Sequence, residues 1–439
     1  MQTRSMSRQL IAFSIPLILS GLLQQMFNWA DAFIVGNVVG ESALAAVGAT
    51  LYVTSLFVMA ITGFTSGVSI LAAQMFGEGN LRDQKKVLFT FLTVVGGAFL
   101  LLSGIGVWCA RSALLAMDTP ADIFGMALDY LRIVLLGVPF LAVYNVYAAV
   151  LRGIGDSRSP FWAVMVSVIV NVIMDVLLVA VLGMGVAGAA LATVASQVMM
   201  ALFMTVYAGK AHPVLSFRGE VELFDRAILA AGSRLAAPIT LQSLVNSAGG
   251  LVLQRIMNSF GTATVAAIST AYRVDSVILL PIFNLGTGIS TLTAQNTGAG
   301  DHQRAKKCLH VGCGLMAAVS VVLTAVVIVF GGPLIALFGV TAEAVLIGER
   351  FFRSIAVFYI INGWAMAFRG YLEGTGDVGF SGMTGIVSLA VRIAFSYALV
   401  GVFDNMVIAY AEAFAWCFML ALFVLRFVWK QRKTNEVTR

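Results

Sequence analysis

Two carboxylates stand where charge is costly: Asp31 in the apolar run 10–36, and Asp175 in the run 159–182. Gln24, Asn28 and Asp31 are spaced four and three apart, so on a helix they share one face. Asn171 and Asp175, four apart, do the same, and Thr193 follows in the run 186–209. An ionisable group in hydrocarbon must pair, face water or change its charge. Amides and hydroxyls can simply tie helices together, at about 1 kcal/mol per contact. Two acids in one half of a chain are poorly explained that way. If close, they repel in a low dielectric until one takes a proton, or until they share Na+ with amide and hydroxyl oxygens. The chemistry predicted at Asp31, Asn171, Asp175 and Thr193 is reversible loading of H+ or Na+. Pro16, in the same helix as Asp31, is a candidate hinge.

The second half of the chain carries a different polar set. Arg392 stands 221 residues after Asn171, and Ser396 stands 221 after Asp175. Arg273, Asp275 and Glu412 also fall within apolar runs. One reading is a buried network in which Arg273 and Arg392 meet Asp275 and Glu412. The other is a cavity wall of mixed charge that contacts a substrate; Gln24, Asn28, Gln242 and Asn246 are further candidates for such a wall.

These side chains need spanning helices to position them. The chain has 439 residues, 60% of them hydrophobic and only 11% charged, against about 25% charged in an average soluble protein. Twelve apolar runs predict twelve spans, near 10–36, 43–74, 86–109, 121–150, 159–182, 186–209, 227–258, 262–296, 308–331, 342–371, 380–402 and 405–430. Prolines 16, 139, 238 and 281 interrupt four of them. With the N-terminus placed in the cytoplasm, Lys85, Lys86, Lys306, Lys307, Lys430, Arg432 and most other basic residues fall on the cytoplasmic side. Only Arg111, Arg132, Arg350 and Arg353 fall on the other. This predicts a multi-pass protein with both termini cytoplasmic. The net charge of +6 is then a topology signal and not a nucleic-acid footprint. A cleaved leader over the first span is disfavoured, because the Pro238 segment repeats that span internally. The chain shows no zinc-ligand spacing and no phosphate-cradling loop with its lysine, so enzyme chemistry and a resident cofactor have no support.

The spans divide six and six, and the chain repeats itself at an offset of 221. Gly77-Glu78-Gly79-Asn80 returns as Gly298-Ala299-Gly300-Asp301, and Gly153-Ile154-Gly155-Asp156 as Gly374-Thr375-Gly376-Asp377. Ala73-Gln74 returns as Ala294-Gln295, and Pro16 as Pro238 with one residue of slip. The glycines read as tight turns between helices. The expected architecture is all-α, with two pseudo-symmetric six-helix bundles: a lobe over 1–209, a cytoplasmic linker over 210–226, a lobe over 227–430 and a tail over 431–439. Two such halves can rock about a midplane cavity.

The order of these features resembles the multidrug and toxic compound extrusion (MATE) family: proline then aspartate in span 1, Asn-x-x-x-Asp in span 5, and the repeated Gly-x-Gly-Asp connection. The resemblance spans essentially the whole chain. It implies a V-shaped pair of bundles that exports organic, often cationic compounds in exchange for Na+ or H+. It carries the family's N-lobe cation site onto Asp31, Asn171, Asp175 and Thr193, and the bending proline onto Pro16. One branch of the family uses a glutamate in span 7 and an aspartate in span 10. Here Gln242 and Asn246 stand near the first place, and Asn362 is the span-10 polar residue, so the resemblance is to the branch relying on the N-lobe. Expected partners are small organic substrates and membrane lipid, with the chain a monomer in a bacterial plasma membrane. A flippase for lipid-linked saccharides or similar amphiphiles is the alternative, because Arg273 and Arg392 can meet a phosphate.

Overall fold

A computed structural model describes residues 5–216 and 222–437, so part of the expected linker (217–221) and the end of the tail lie outside the described residues. The described chain is helical throughout. The helices are α1 (Met6–Ile34), α2 (Glu41–Gly77), α3 (Leu81–Ala116), α4 (Ala121–Gly153), α5 (Arg158–Asp175), α6 (Gly185–Ala211), α7 (Arg226–Asn258), α8 (Thr262–Ile278), α9 (Leu280–Gly298), α10 (His302–Ala336), α11 (Ala342–Ile355), α12 (Tyr359–Gly374), α13 (Val378–Ala398), the single turn α14 (Val400–Phe403) and α15 (Val407–Val437). Among the described residues ten helices are each long and apolar enough to cross a bilayer, and α8 with α9 makes an eleventh span bent by 42°. The bend follows from Pro281, the second residue of α9, which cannot donate the backbone hydrogen bond that would continue α8. The remaining predicted span, the tenth (342–371), is divided between α11 and α12 by the 3-10 turn Ala356–Phe358. Pro16, Pro139 and Pro238, by contrast, lie inside unbroken helices.

The chain forms two compact units, one of Ile15–Thr240 and one of Met1–Ser14 with Leu241–Arg439. The boundaries therefore fall inside α1 and α7, beside Pro16 and Pro238, and not at the 210–226 linker. Two glycines show why. In the first unit a side chain at Gly67 would sit 2.4 Å from the backbone of Ala236. In the second, one at Gly288 would sit 2.6 Å from the Ser14 hydroxyl. Helices approach this closely only where one partner lacks a side chain. The start of α7 is thereby bound into the first unit, and the start of α1 into the second.

In the first unit α4 is the central post, packed by α2, α3 and α6, while α5 packs on α6. Its inner stretch Ala148–Leu151 is fully buried. In the second unit α12 takes that place against α9, α10 and α15, and α13 packs on α15. The repeat is visible in the backbone. Gly79 and Gly300 turn at φ 77° and 73°, and Gly155 and Gly376 at φ 92° and 85°. The N-caps Asn80 and Asp301 each accept from the backbone N–H three residues on. Gly153 presses on Ala72 and Ala73, and its counterpart Gly374 presses on Thr293 and Ala294.

Candidate functional site

The first unit gathers four of the predicted residues. Asp31 lies on α1, Asn171 and Asp175 on α5, and Thr193 on α6; their exposures are 8%, 0%, 0% and 9%. The Asp31 carboxylate acts on Asp175, and both act on Tyr130 of α4, whose hydroxyl lies against Thr193. Thr193 otherwise donates to the Ala189 carbonyl at 3.1 Å. One oxygen of Asp31, both of Asp175, and both amide atoms of Asn171 are buried with no hydrogen-bond partner among the described residues. Leaving one buried polar atom unpaired costs about 1–3 kcal/mol, and a charged one more. So many together mark groups whose partner is exchangeable. Two carboxylates, an amide oxygen and a hydroxyl are hard oxygen donors, suited to a proton or to Na+.

The backbone helps to place these groups. The turns after both acids are wider than α-helical: Val35–Val39 follows α1, and Val176–Val181 begins immediately after Asp175. Their i to i−5 bonds include Gly40 N–H to Val35 at 3.1 Å and Leu182 N–H to Leu177 at 2.9 Å. The two segments pack on each other. Such widened turns shift side-chain register and recur at functional sites. Val35, Val47, Tyr130, Val134, Val179 and Val186 form one buried apolar cluster beside the acids. The sequence reading missed Tyr130. Its one signal was a phenol following Asp129 in an apolar run, which is too common to single out.

Other predicted residues separate. Gln24 and Asn28 are exposed, unlike Asp31 on the same helix. Gln242 is buried, accepts from Arg369 at 3.0 Å, and joins a network in which Arg369 meets Glu373 at 2.7 Å and Ser381 donates to Glu373 at 2.7 Å. Asn246 is exposed.

The mixed-charge network of the second unit forms only in part. Arg392 of α13 pairs with Glu412 of α15 at 2.9 Å and donates to the Tyr272 hydroxyl at 2.7 Å. Asp275 of α8 accepts from Tyr359 of α12. Arg273 is not a member of the network. Two residues before Asp275 on one helix, it points away and is exposed on a groove of about 700 Å³ lined by Asn258, Thr262, Ser269, Thr270 and Phe338.

Comparison with known proteins agrees with this architecture. The MatE family profile matches residues 16–177 and again 238–398, so each half carries one copy. The probable multidrug resistance protein YoeA of Bacillus subtilis is 28% identical over 449 residues, covering 99% of this chain and 96% of that protein. A FAD transporter of Shewanella oneidensis is 28% identical over 340 residues, covering 75% of this chain and 74% of its own length. A crystal structure of a MATE protein in the bent conformation superposes with a TM-score of 0.90 at 20% identity, covering 99% of this chain and 97% of that one. The two family copies, coextensive with the internal repeat, establish that the chain belongs to the multidrug and toxic compound extrusion (MATE) family of multi-pass membrane transporters.

Proposed function

We propose that this chain is a secondary antiporter that exports organic, cationic or amphiphilic compounds and takes H+ or Na+ in return at Asp31, Asn171, Asp175 and Thr193. One observation carries the reading: two buried acids from different helices, with Asp31 acting on Asp175, keep most of their oxygens without a protein partner among the described residues. A bound cation cancels their repulsion and lets α1 and α5 pack closely. Without it the repulsion favours a looser arrangement that water can enter. Only a difference in cation affinity between two such states can drive transport. Pro16 lies two residues from the point where α1 passes from one unit to the other, so it is the natural place for α1 to bend. The relatives named for multidrug resistance support export as the direction, and the charge asymmetry supports a plasma-membrane protein with cytoplasmic termini. The test is dye efflux from a pump-deficient cell carrying Asp175→Asn at normal surface abundance. We expect efflux to fall at least to about one tenth, as for loss of a coupling group. Undiminished efflux removes Asp175 from the mechanism.

A second reading, transport of a phosphate-bearing amphiphile, keeps one observation in its favour. Arg273 is exposed on a groove with hydroxyl and amide neighbours. Arg392 offers little, since Glu412 already neutralises it. If Arg273→Gln abolishes movement of an anionic amphiphile and leaves cationic dye efflux intact, this reading gains over the first.

A further inference from the structure

We propose that the second unit holds a proton-binding centre of its own, at Asp275 hydrogen-bonded to Tyr359, with the Arg392–Glu412 pair as its fixed counter-charge. This goes beyond the first-unit cation site and does not depend on it. The argument is one of charge balance. The cluster contains two carboxyl groups, Asp275 and Glu412, and one guanidinium, Arg392; these are the charged groups that act on Asp275. Arg392 binds Glu412 and the Tyr272 hydroxyl through one terminal nitrogen, and its buried Nε has no hydrogen-bond partner among the described residues. Asp275 is left with a neutral phenol donor, and Tyr359 is itself fully buried. With both acids ionised the buried cluster has one unmatched negative charge, whose desolvation the surroundings cannot repay. One proton on the Asp275 carboxyl, on the oxygen that does not accept from Tyr359, makes it neutral.

Among the described residues Arg392 is the cation that acts on Asp275. From α11, Phe351 meets the Tyr272 ring at 5.5 Å, and Glu349 is held by Arg353 of the same helix at 2.6 Å. From α15, Trp416 lies 6.2 Å from the Tyr359 ring. From α10, Ser320 and Thr324 donate to the Tyr359 and Ala356 carbonyls at 3.1 and 2.7 Å, capping the break between α11 and α12. Arg273 is exposed and pairs with no carboxylate of the cluster. A metal cation is disfavoured beside a guanidinium, so the ligand is a proton. The break at Ala356–Phe358 gives the proton a place to exchange, because an interrupted helix can rewind or open where a continuous one cannot.

The experiment is infrared difference spectroscopy of the purified full-length protein in lipid, following the protonated carboxylic-acid carbonyl band across a pH titration. In the wild type we expect one such band from this centre at neutral pH. It should vanish in Asp275→Asn. It should also vanish in Glu412→Gln, because removing the second acid lets Arg392 balance an ionised Asp275. Asp31→Asn and Asp175→Asn should leave it in place, which separates this centre from the first-unit site. Tyr359→Phe should shift the band without abolishing it, a readout that remains if either charge variant fails to fold. A band that persists in Asp275→Asn or in Glu412→Gln overturns the proposal, as does one unmoved in Tyr359→Phe.

Discussion

Gln242 and Asp175 are both polar residues buried in apolar helices, yet their neighbours give them opposite roles. Gln242 is fixed by Arg369, which is fixed in turn by Glu373, which also accepts from Ser381. Among the described residues Asp175 has no such partner, which leaves it open to an exchangeable one. Gln242→Ala should therefore lower thermal stability by about 1–3 kcal/mol, the cost of unpairing Arg369, and leave the choice of exported compounds unchanged. Thermal unfolding in detergent and a panel of dyes check both halves of that statement. The candidate group in the first unit could be proposed from the sequence because helical spacing alone puts Asn171 with Asp175, and because acids in hydrocarbon are rare. Spacing could not reveal that Tyr130 completes the group, since the contact joins helices four, five and six. Nor could it show that Asp275 and Arg273, two residues apart, would face a buried phenol and an open groove respectively.

At the scale of the elements, small residues decide where helices meet. A methyl group at Gly374 would lie 2.6 Å from the Ser290 carbonyl and 2.9 Å from the Ala294 nitrogen, whereas at Gly379 it would meet nothing within 4 Å. Gly374→Ala should destabilise the protein by about 1–3 kcal/mol through overpacking of α12 on α9. Gly379→Ala, in the first turn of α13, should be neutral or slightly stabilising. Comparing the two midpoints in thermal or denaturant unfolding tests whether close backbone approach sets the packing. The apolar runs located the helices well because hydropathy and length are strong constraints in a bilayer. They did not predict the break inside 342–371, because Ile355-Ala356-Val357-Phe358 is as apolar as any helix interior and carries no proline. Only the Thr324 and Ser320 hydroxyls, which satisfy carbonyls at the break, explain how it is tolerated. The widened turns after Asp31 and Asp175 likewise follow from packing between helices and leave no mark in the local sequence.

Across the whole molecule the duplication sets the plan, and divergence sets the function. Asp156 and Asp377 occupy equivalent places between helices outside the spans, but they hold different partners. Asp377 takes Arg426 at 2.8 Å and Lys430 at 3.1 Å, whereas Asp156 takes His212 at 3.1 Å and Ser159. Burial alone would push each carboxyl up, but the hydrogen bonds and neighbouring positive charges outweigh it and hold both below the usual carboxylate range. A depressed native pKa adds stability at pH above the unfolded value, and that contribution disappears as pH falls through the native one. Thermal stability of the wild type should therefore drop on acidification through and below the ordinary carboxylate range. In Asp377→Asn it should start lower by about 1–3 kcal/mol and fall less steeply there. Melting curves over that interval decide the point. The exchange of helix starts between units, seen at Gly67–Ala236 and Gly288–Ser14, was hidden in the sequence because apolar periodicity says which face is buried and not against which partner. It puts a unit boundary inside α1, the helix that carries Asp31, so the proposed cation binding at Asp31 would act on a helix that both units share.

The most direct measurement of that central claim is efflux of a cationic dye from proteoliposomes, with pH and Na+ gradients imposed separately, for the wild type and Asp175→Asn. The account predicts that one of the two gradients accelerates wild-type transport and that Asp175→Asn loses the acceleration while still binding dye. An Asp175→Asn protein that responds to the same gradient as fully as the wild type would contradict it.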